Sequence, residues 1–176
     1  MTQTGTTFVD QAVEANLEAL KKKVALRRTE KIESIRAFAA QNPDHPYTLA
    51  NKEMLELSAK AESWNGAGVL SMTGALWWAL NLSVDLAFPH TVIFNATGGP
   101  DWTIAAFTSV VAGYFLVDPS RLGGEYDFRM QSASIGLGEV SIDLYKKDGT
   151  EIGSFFGAAA GLSASKLAGS GDLTYR

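Results

Sequence analysis

The stretch EVSIDLYKKDGTEIGSFFG, Glu139 to Gly157, decides the fold. Val140, Ile142 and Leu144 alternate with Glu139, Ser141 and Asp143, the period of a strand with one apolar and one wet face. Asp148-Gly149 then predicts a tight hairpin turn, with a return strand from about Ile152. That return strand carries Gly153 and Gly157, where a strand normally wants bulk. Glycine inside a strand marks a bulge, a bend or the close approach of another backbone. Small closed barrels need such sites, because their strands must coil strongly to meet edge to edge. Gly153, Gly157 and Gly161 recur every four residues and so share a face, and Gly66/Gly68/Gly74 and Gly169/Gly171 follow the same logic. The expectation is a small antiparallel barrel whose lumen is filled by side chains, with a two-sheet sandwich as the alternative.

The surrounding sequence extends this grammar. Leu80, Leu82, Val84 and Leu86 alternate with Asn81, Ser83, Asp85 and Ala87, and Tyr126, Phe128 and Met130 alternate with Glu125, Asp127 and Arg129. Turn signals at Pro89-His90, Gly98-Gly99-Pro100, Asp118-Pro119-Ser120 and Gly136-Leu137-Gly138 separate the strands. About eight strands fit after Trp64, with no helical pattern between them, so the connections are meanders or Greek keys rather than βαβ units. The uncharged runs 65–84 and 102–117 read as buried strands rather than spanning helices.

Residues 1–63 read differently. They hold one glycine, Gly5, and equal numbers of acidic and basic residues, so the whole −4 falls in the rest of the chain. Thr7-Phe8-Val9-Asp10 fits a capping box, and Val9, Val13, Leu17, Leu20 and Val24 then form an apolar stripe. Ile35 and Phe38 resume it, but Arg27 and Lys31 fall on the same stripe, which predicts a break or a solvent-facing stretch there. Asn42-Pro43 ends the helix, and a second is expected from Thr48 to about Glu62. The fold class is thus α+β, mainly β: a helical segment over 1–63 and a glycine-rich eight-stranded antiparallel Greek-key barrel over 64–176.

Composition excludes some functions. There is no cysteine, hence no disulfide framework or thiolate chemistry. Net negative charge argues against general nucleic-acid binding. The N-terminus shows no basic region followed by an apolar run, so no signal peptide is expected, and localisation stays open between export without such a leader and the cytoplasm.

Four segments in this order, AGYFLVDPSRL (112–122), EYDFRMQ (125–131), EVSIDLYKKDGTEIGSFFGAAAG (139–161) and SASKLAGSGDLTYR (163–176), resemble the C-terminal part of the virulence-associated proteins (Vap family) of pathogenic rhodococci. The resemblance covers residues 66–176 and rests on glycine spacing and strand order. It implies a compact eight-stranded barrel of two Greek keys in a secreted protein that acts inside host phagocytes. It implies no enzymatic activity and no catalytic residues; one family member is implicated in perturbing phagosomal and lysosomal membranes. The patterned helical segment and the lack of a signal peptide depart from that family.

Catalytic motifs do not survive inspection. Ser163-Ala164-Ser165-Lys166 has serine–lysine spacing, but sits in a strand region without the companion motifs. His45 and His90 lie in different halves without a second ligand at metal spacing. Asp85, Asp101, Asp127, Glu139 and Asp143 could pair for acid–base work only if they converged on one cavity, and alternation puts Asp85, Asp127 and Asp143 on the wet face. Neither cofactor nor metal is expected. Lys21-Lys22-Lys23 with Arg27, Arg28 and Lys31 could meet anionic lipid or form a solvated face paired with Glu14, Glu18 (favourably placed for Lys22) and Glu30. Of Trp77-Trp78, adjacent on a strand, one is expected in the core and the other exposed or covered by the helices.

The expected function is a non-enzymatic effector of virulence-associated type, acting on host or target membranes or on a host partner. The candidate contact residues are Val13, Leu17, Leu20, Lys21, Lys22, Val24, Trp77 and Trp78, used after release of the helix from the barrel. A lipocalin-like carrier of a small apolar ligand, a barrel isomerase or cyclase, and homo-oligomers built through the helices are the alternatives.

Overall fold

A computed structural model describes residues 8–58, 64–74, 77–86, 90–99, 106–133, 138–159 and 165–176, with no side-chain detail for residues 8–17, 57, 58 and 159. Two helices, α1 (Phe8–Gln41) and α2 (Pro46–Ser58), precede eight strands. The strands are β1 (Asn65–Thr73), β2 (Trp78–Asp85), β3 (Thr91–Gly98), β4 (Phe107–Phe115), β5 (Gly124–Ala133), β6 (Gly138–Tyr145), β7 (Glu151–Ala159) and β8 (Ser165–Tyr175). A 3-10 turn, Pro119–Arg121, sits between β4 and β5, with Asp118 as its cap.

Every pairing is antiparallel and the sheet closes, in the order β1-β2-β3-β8-β5-β6-β7-β4. Read around the ring, β4-β1-β2-β3 is one Greek key and β8-β5-β6-β7 is the other. Closure leaves no free strand edge. The sandwich alternative is therefore set aside.

The barrel axis is filled. Leu82, Val84, Phe94, Phe115, Phe128, Met130, Ile142 and Phe155 are all fully buried in one apolar cluster. Trp78 and Phe94 each meet Phe128 edge-on, and Phe115 meets Phe155 the same way.

The glycines make room for these rings. Trp78 pairs across the ladder with Gly98, and a Cβ on Gly98 would lie 2.1 Å from the indole Cζ2. Phe155 likewise lies opposite Gly113, Phe115 opposite Gly153, and Phe128 opposite Gly169. In each pair the ring occupies the volume that a second side chain would take. The strand glycines are therefore seats for aromatic side chains as well as points of curvature. Gly161 lies outside the described residues.

Helix α1 runs unbroken for 34 residues, which corrects the expected break or solvent-facing stretch near Arg27 and Lys31. Both side chains face the barrel and find acids there. The helix ends at Gln41, before Pro43, and Asn42 Nδ2 donates to the Phe38 carbonyl. Helix α2 starts at Pro46, two residues earlier than the sequence predicts, because His45 Nδ1 accepts from the Tyr47 amide and proline fits a first helical turn.

Candidate functional site at the helix–barrel seam

A second apolar cluster joins the helices to the outside of the barrel. Val24, Ile32 and Ile35 of α1 and Met54 of α2 pack on Ala112, Tyr114 and Leu116 of β4 and the segment after it, and on Phe156 of β7. Leu20 packs at its margin. Leu20 and Val24, the part of the stripe among the described side chains, thus find their apolar partner on the outer wall.

Where the stripe turns basic, the wall turns acidic. Lys23 Nζ and Arg27 Nη2 both donate to Glu139 Oε1, at 3.0 and 2.9 Å. The Arg27 guanidinium also lies 4.4 Å from the centre of the Phe156 ring. Lys31 Nζ is 2.5 Å from Glu151 Oε2. Counting back from the inward Gly153 by alternation would point Glu151 into the core. The pairing shifts register between Leu144 and Tyr145, so that Gly153 opposes Leu144 and Glu151 opposes Tyr145, leaving Ile152 as the extra residue. This bulge sends Ile152 to the core and turns Glu151 outward, to Lys31.

The electrostatics differ along the seam. Burial pushes the Glu151 carboxyl above its ordinary range, more than Lys31 draws it down. Burial pulls Lys31 down, but its hydrogen bond and charge pairing with Glu151 outweigh this and hold it above its ordinary value. Burial also pushes Glu139 up, yet Lys23 and then Arg27 more than offset it and keep it below the usual carboxylate range. Burial, and then the nearby Glu151 and Asp143 charges, push the Tyr114 phenol well up. Ser154 Oγ donates to Asp143 Oδ1 at 2.6 Å. These partnered groups lock a helix to a wall. The hollow beside them, about 200 Å³ and lined by Leu20, Lys23, Glu139 and Phe156 among others, is shallow and surface-facing.

Of the sequence-predicted contact residues, Lys21 and Lys22 are exposed and Leu20 is half-buried. Lys21, rather than Lys22, pairs with Glu18. Val24 is 2% exposed beneath the seam, and Trp78 lies in the barrel core, so neither is available for contact while the fold holds. Trp77 is 74% exposed. The side chains of Val13 and Leu17 lie outside the described residues. The acids Asp85, Asp127, Glu139 and Asp143 are on the outer wall, while Asp101 and Ser163 lie outside the described residues. His90 stacks on Tyr175, and among the described residues no three potential ligands gather as a metal site. Sequence reasoning missed Glu151 and Phe156 as partners of the helix. The unpaired basic residues on the apolar stripe were the signal.

Fold and seam together define a Greek-key barrel clasped on its outer wall by a basic helix. No family model and no curated protein matches the chain. Among solved structures, the virulence-associated protein VapB of the intracellular pathogen Rhodococcus equi matches at 18% identity and a TM-score of 0.36, over 65% of this chain and 96% of that one. The relationship is a weak likeness of fold.

Proposed function

We propose that this protein is a non-enzymatic effector of virulence-associated type that works at a membrane surface. One observation carries the reading: the barrel axis is packed solid with aromatic and aliphatic side chains, so ligand contact falls to the outside. On that outside, Lys21 and Lys22 are exposed on α1 and Trp77 is exposed on the barrel. Basic side chains with an indole suit an anionic headgroup layer. Nothing favours the carrier reading, since Phe94, Phe115, Phe128 and Phe155 occupy the volume a ligand would need.

The seam changes the mechanism expected from the sequence. Residues 20–35 of α1 are anchored by apolar packing and by Glu139 and Glu151, so the helix acts docked rather than released. Dye leakage from anionic vesicles, with co-sedimentation, at neutral and acidic pH tests the reading. Binding that requires anionic lipid is expected. Neither leakage nor co-sedimentation would reject it.

A second reading, self-association through the helices, draws on Leu26 and Leu49, which are 60% and 59% exposed. Light scattering on the wild type and on Leu26→Glu/Leu49→Glu tests it; a wild-type mass equal to one chain removes it.

A further inference from the structure

The chain carries a net charge of −4, yet one hollow on the barrel wall reverses that sign. It measures about 260 Å³ and lies between α1 and the second Greek key. Arg27 of α1 and Lys166 of β8 both line it, together with Gln131 of β5 and Ser141 of β6.

The ladder explains the placement. Lys166 pairs with Gln131, Gln131 with Ser141, and Ser141 with Phe156, so the four share one rung across β8, β5, β6 and β7. Lys166 and Gln131 are exposed, Ser141 is half-buried, and Phe156 lies outward beneath the helix. The Arg27 guanidinium sits 4.4 Å from the Phe156 ring centre and so covers the far end of the rung. Three strand spacings, about 14 Å of wall, separate the two ends. On the next rung Ala133 opposes Glu139, and its short side chain leaves room between the two cations.

The charge around this hollow is a local surplus. Among the described residues, Glu139 is the acid that lines it, and Lys23 and Arg27 both hold that carboxylate. With Lys166 there are three cations to one acid, a surplus of two. On the rung to the other side Arg129 opposes Asp143, one charge of each sign. The neighbouring connections, 134–137 and 160–164, contain no charged residue in sequence. Glu18 is paired with Lys21. Asp10 and Glu14 stand more than three turns before Arg27 on the unbroken α1, about 20 Å along its axis and beyond a Debye length.

We propose that this hollow binds a phosphate monoester, clamped between Arg27 on the helix and Lys166 on β8. The site stands apart from the membrane reading, because a soluble ester and a lipid headgroup carry the same group. A phosphate monoester brings nearly two negative charges at neutral pH and three strong acceptor oxygens. The charge surplus matches the first. Lys166, Gln131 and Ser141 offer donors to the second, and so does Arg27, whose five-donor fork meets Glu139 through Nη2. A planar carboxylate is satisfied by one such fork, and Glu139 already fills that role. Half of the clamp belongs to the helix and half to the barrel, so binding ties α1 to β8 across the wall.

Backbone-amide NMR of the full chain, titrated with inorganic phosphate at constant ionic strength, reads the site. Saturable shifts at Arg27, Gln131, Ser141 and Lys166 are expected, with none in acetate. Lys166→Gln keeps the length of the side chain without its charge and should weaken phosphate about tenfold. Lys52→Gln, exposed on α2, should leave it unchanged. Phosphate should also slow hydrogen exchange at residues 20–28 of α1 in the wild type, and much less in Lys166→Gln.

Two vesicle arms identify the source. Phosphatidylcholine vesicles carry either phosphatidic acid, a monoester, or phosphatidylglycerol, a diester, at equal surface charge. Binding that favours phosphatidic acid and yields to inorganic phosphate assigns the site to a lipid headgroup. Phosphate shifts with no vesicle binding assign it to a soluble ester and reject the membrane reading alone. No saturable phosphate shifts, shifts shared with acetate, or an affinity untouched by Lys166→Gln overturn the site whatever the vesicles show; vesicle binding would then leave only the membrane reading standing.

Discussion

Replacing Lys31 with methionine keeps the length and apolar body of the side chain and removes the ammonium facing Glu151. The Glu151 side chain is 12% exposed and that of Lys31 33%. In the variant, Glu151 has two options: stay charged without its partner, or fold protonated. The second sets a ceiling on the loss. Protonating a carboxyl of ordinary pKa 4.5 costs about 1.36 kcal/mol per pH unit above that value, hence about 3.4 kcal/mol at pH 7 and about 0.7 kcal/mol at pH 5. A fully buried charge stripped of its partner costs about 3–5 kcal/mol. Partial exposure of this pair reduces that figure, so the expected loss at pH 7 is about 2–3 kcal/mol. It should shrink below about 1 kcal/mol at pH 5.

Glu151→Gln is the companion. Its amide is neutral at every pH, and Lys31 can extend toward water, so a loss of about 1 kcal/mol that is flat from pH 7 to pH 5 is expected. Urea unfolding of both variants at pH 7, 6 and 5 reads the difference directly. A Lys31→Met loss that is the same at pH 7 and pH 5 would refute the claim that Glu151 is a desolvated charge held by the helix.

Three further outcomes follow from the packing. Gly113→Ala puts a Cβ 2.1 Å from the Ser154 carbonyl oxygen and 2.4 Å from the Phe155 ring, so it should cost about 3 kcal/mol or more by urea unfolding, whereas Gly99→Ala, with nothing within 4 Å, should stay within about 0.5 kcal/mol of wild type. Phe128→Ala removes the ring that Trp78 and Phe94 both meet, and a loss of about 3–5 kcal/mol is expected in the same assay. Arg27→Ala removes one of the two cations on Glu139 and the contact with Phe156; because the pair is still partly open to water, it should cost about 1 kcal/mol and raise hydrogen exchange at residues 20–28 of α1 before it affects the barrel.

Elements set by neighbours in sequence were legible. Alternation over 139–145 and 80–86 marks strands because side-chain direction repeats every two residues, and Asp148-Gly149 marks the hairpin, with Gly149 at φ +84°. The Val9–Val24 periodicity marks a helix, and its described members Leu20 and Val24 pack on the barrel. What stayed hidden depends on register. Arg27 finds Glu139 across 112 residues, and no local pattern predicts that meeting, so a basic residue on an apolar stripe looks like a defect. Gly98 and Gly113 look like weak points until the ladder sets Trp78 and Phe155 opposite them. The bulge at Ile152 is the sharpest case. One extra residue inverts the parity of everything before it, so strict counting would bury Glu151 in the core and leave Lys31 without its partner.

The two seam carboxylates also decide how the helix responds to acid. Glu151 has a raised value in the folded protein, so the folded state binds its proton more readily than the unfolded chain does. Its contribution is fully favourable below 4.5 and is lost as pH rises through the raised value. As pH falls through that raised value Glu151 takes up a proton, which removes the cost of its buried charge and with it the charge attraction to Lys31. Glu139 has the opposite sign: held below its ordinary 4.5 by Lys23 and Arg27, it contributes stability above that value and loses it as pH falls through the lowered one. Acid thus acts with opposite sign at the two carboxylates: proton uptake by Glu151 favours the folded state, whereas Glu139 loses its contribution only below about 4.5. Hydrogen exchange along α1 should show residues 28–35 no less protected at pH 5 than at pH 7, after correction for intrinsic rates. Loosening should begin around residues 20–27 only at lower pH. Loss of protection along the whole helix by pH 5 would mean that groups other than these two control docking. The end that acid loosens is the end of the described seam that carries the exposed Lys21 and Lys22.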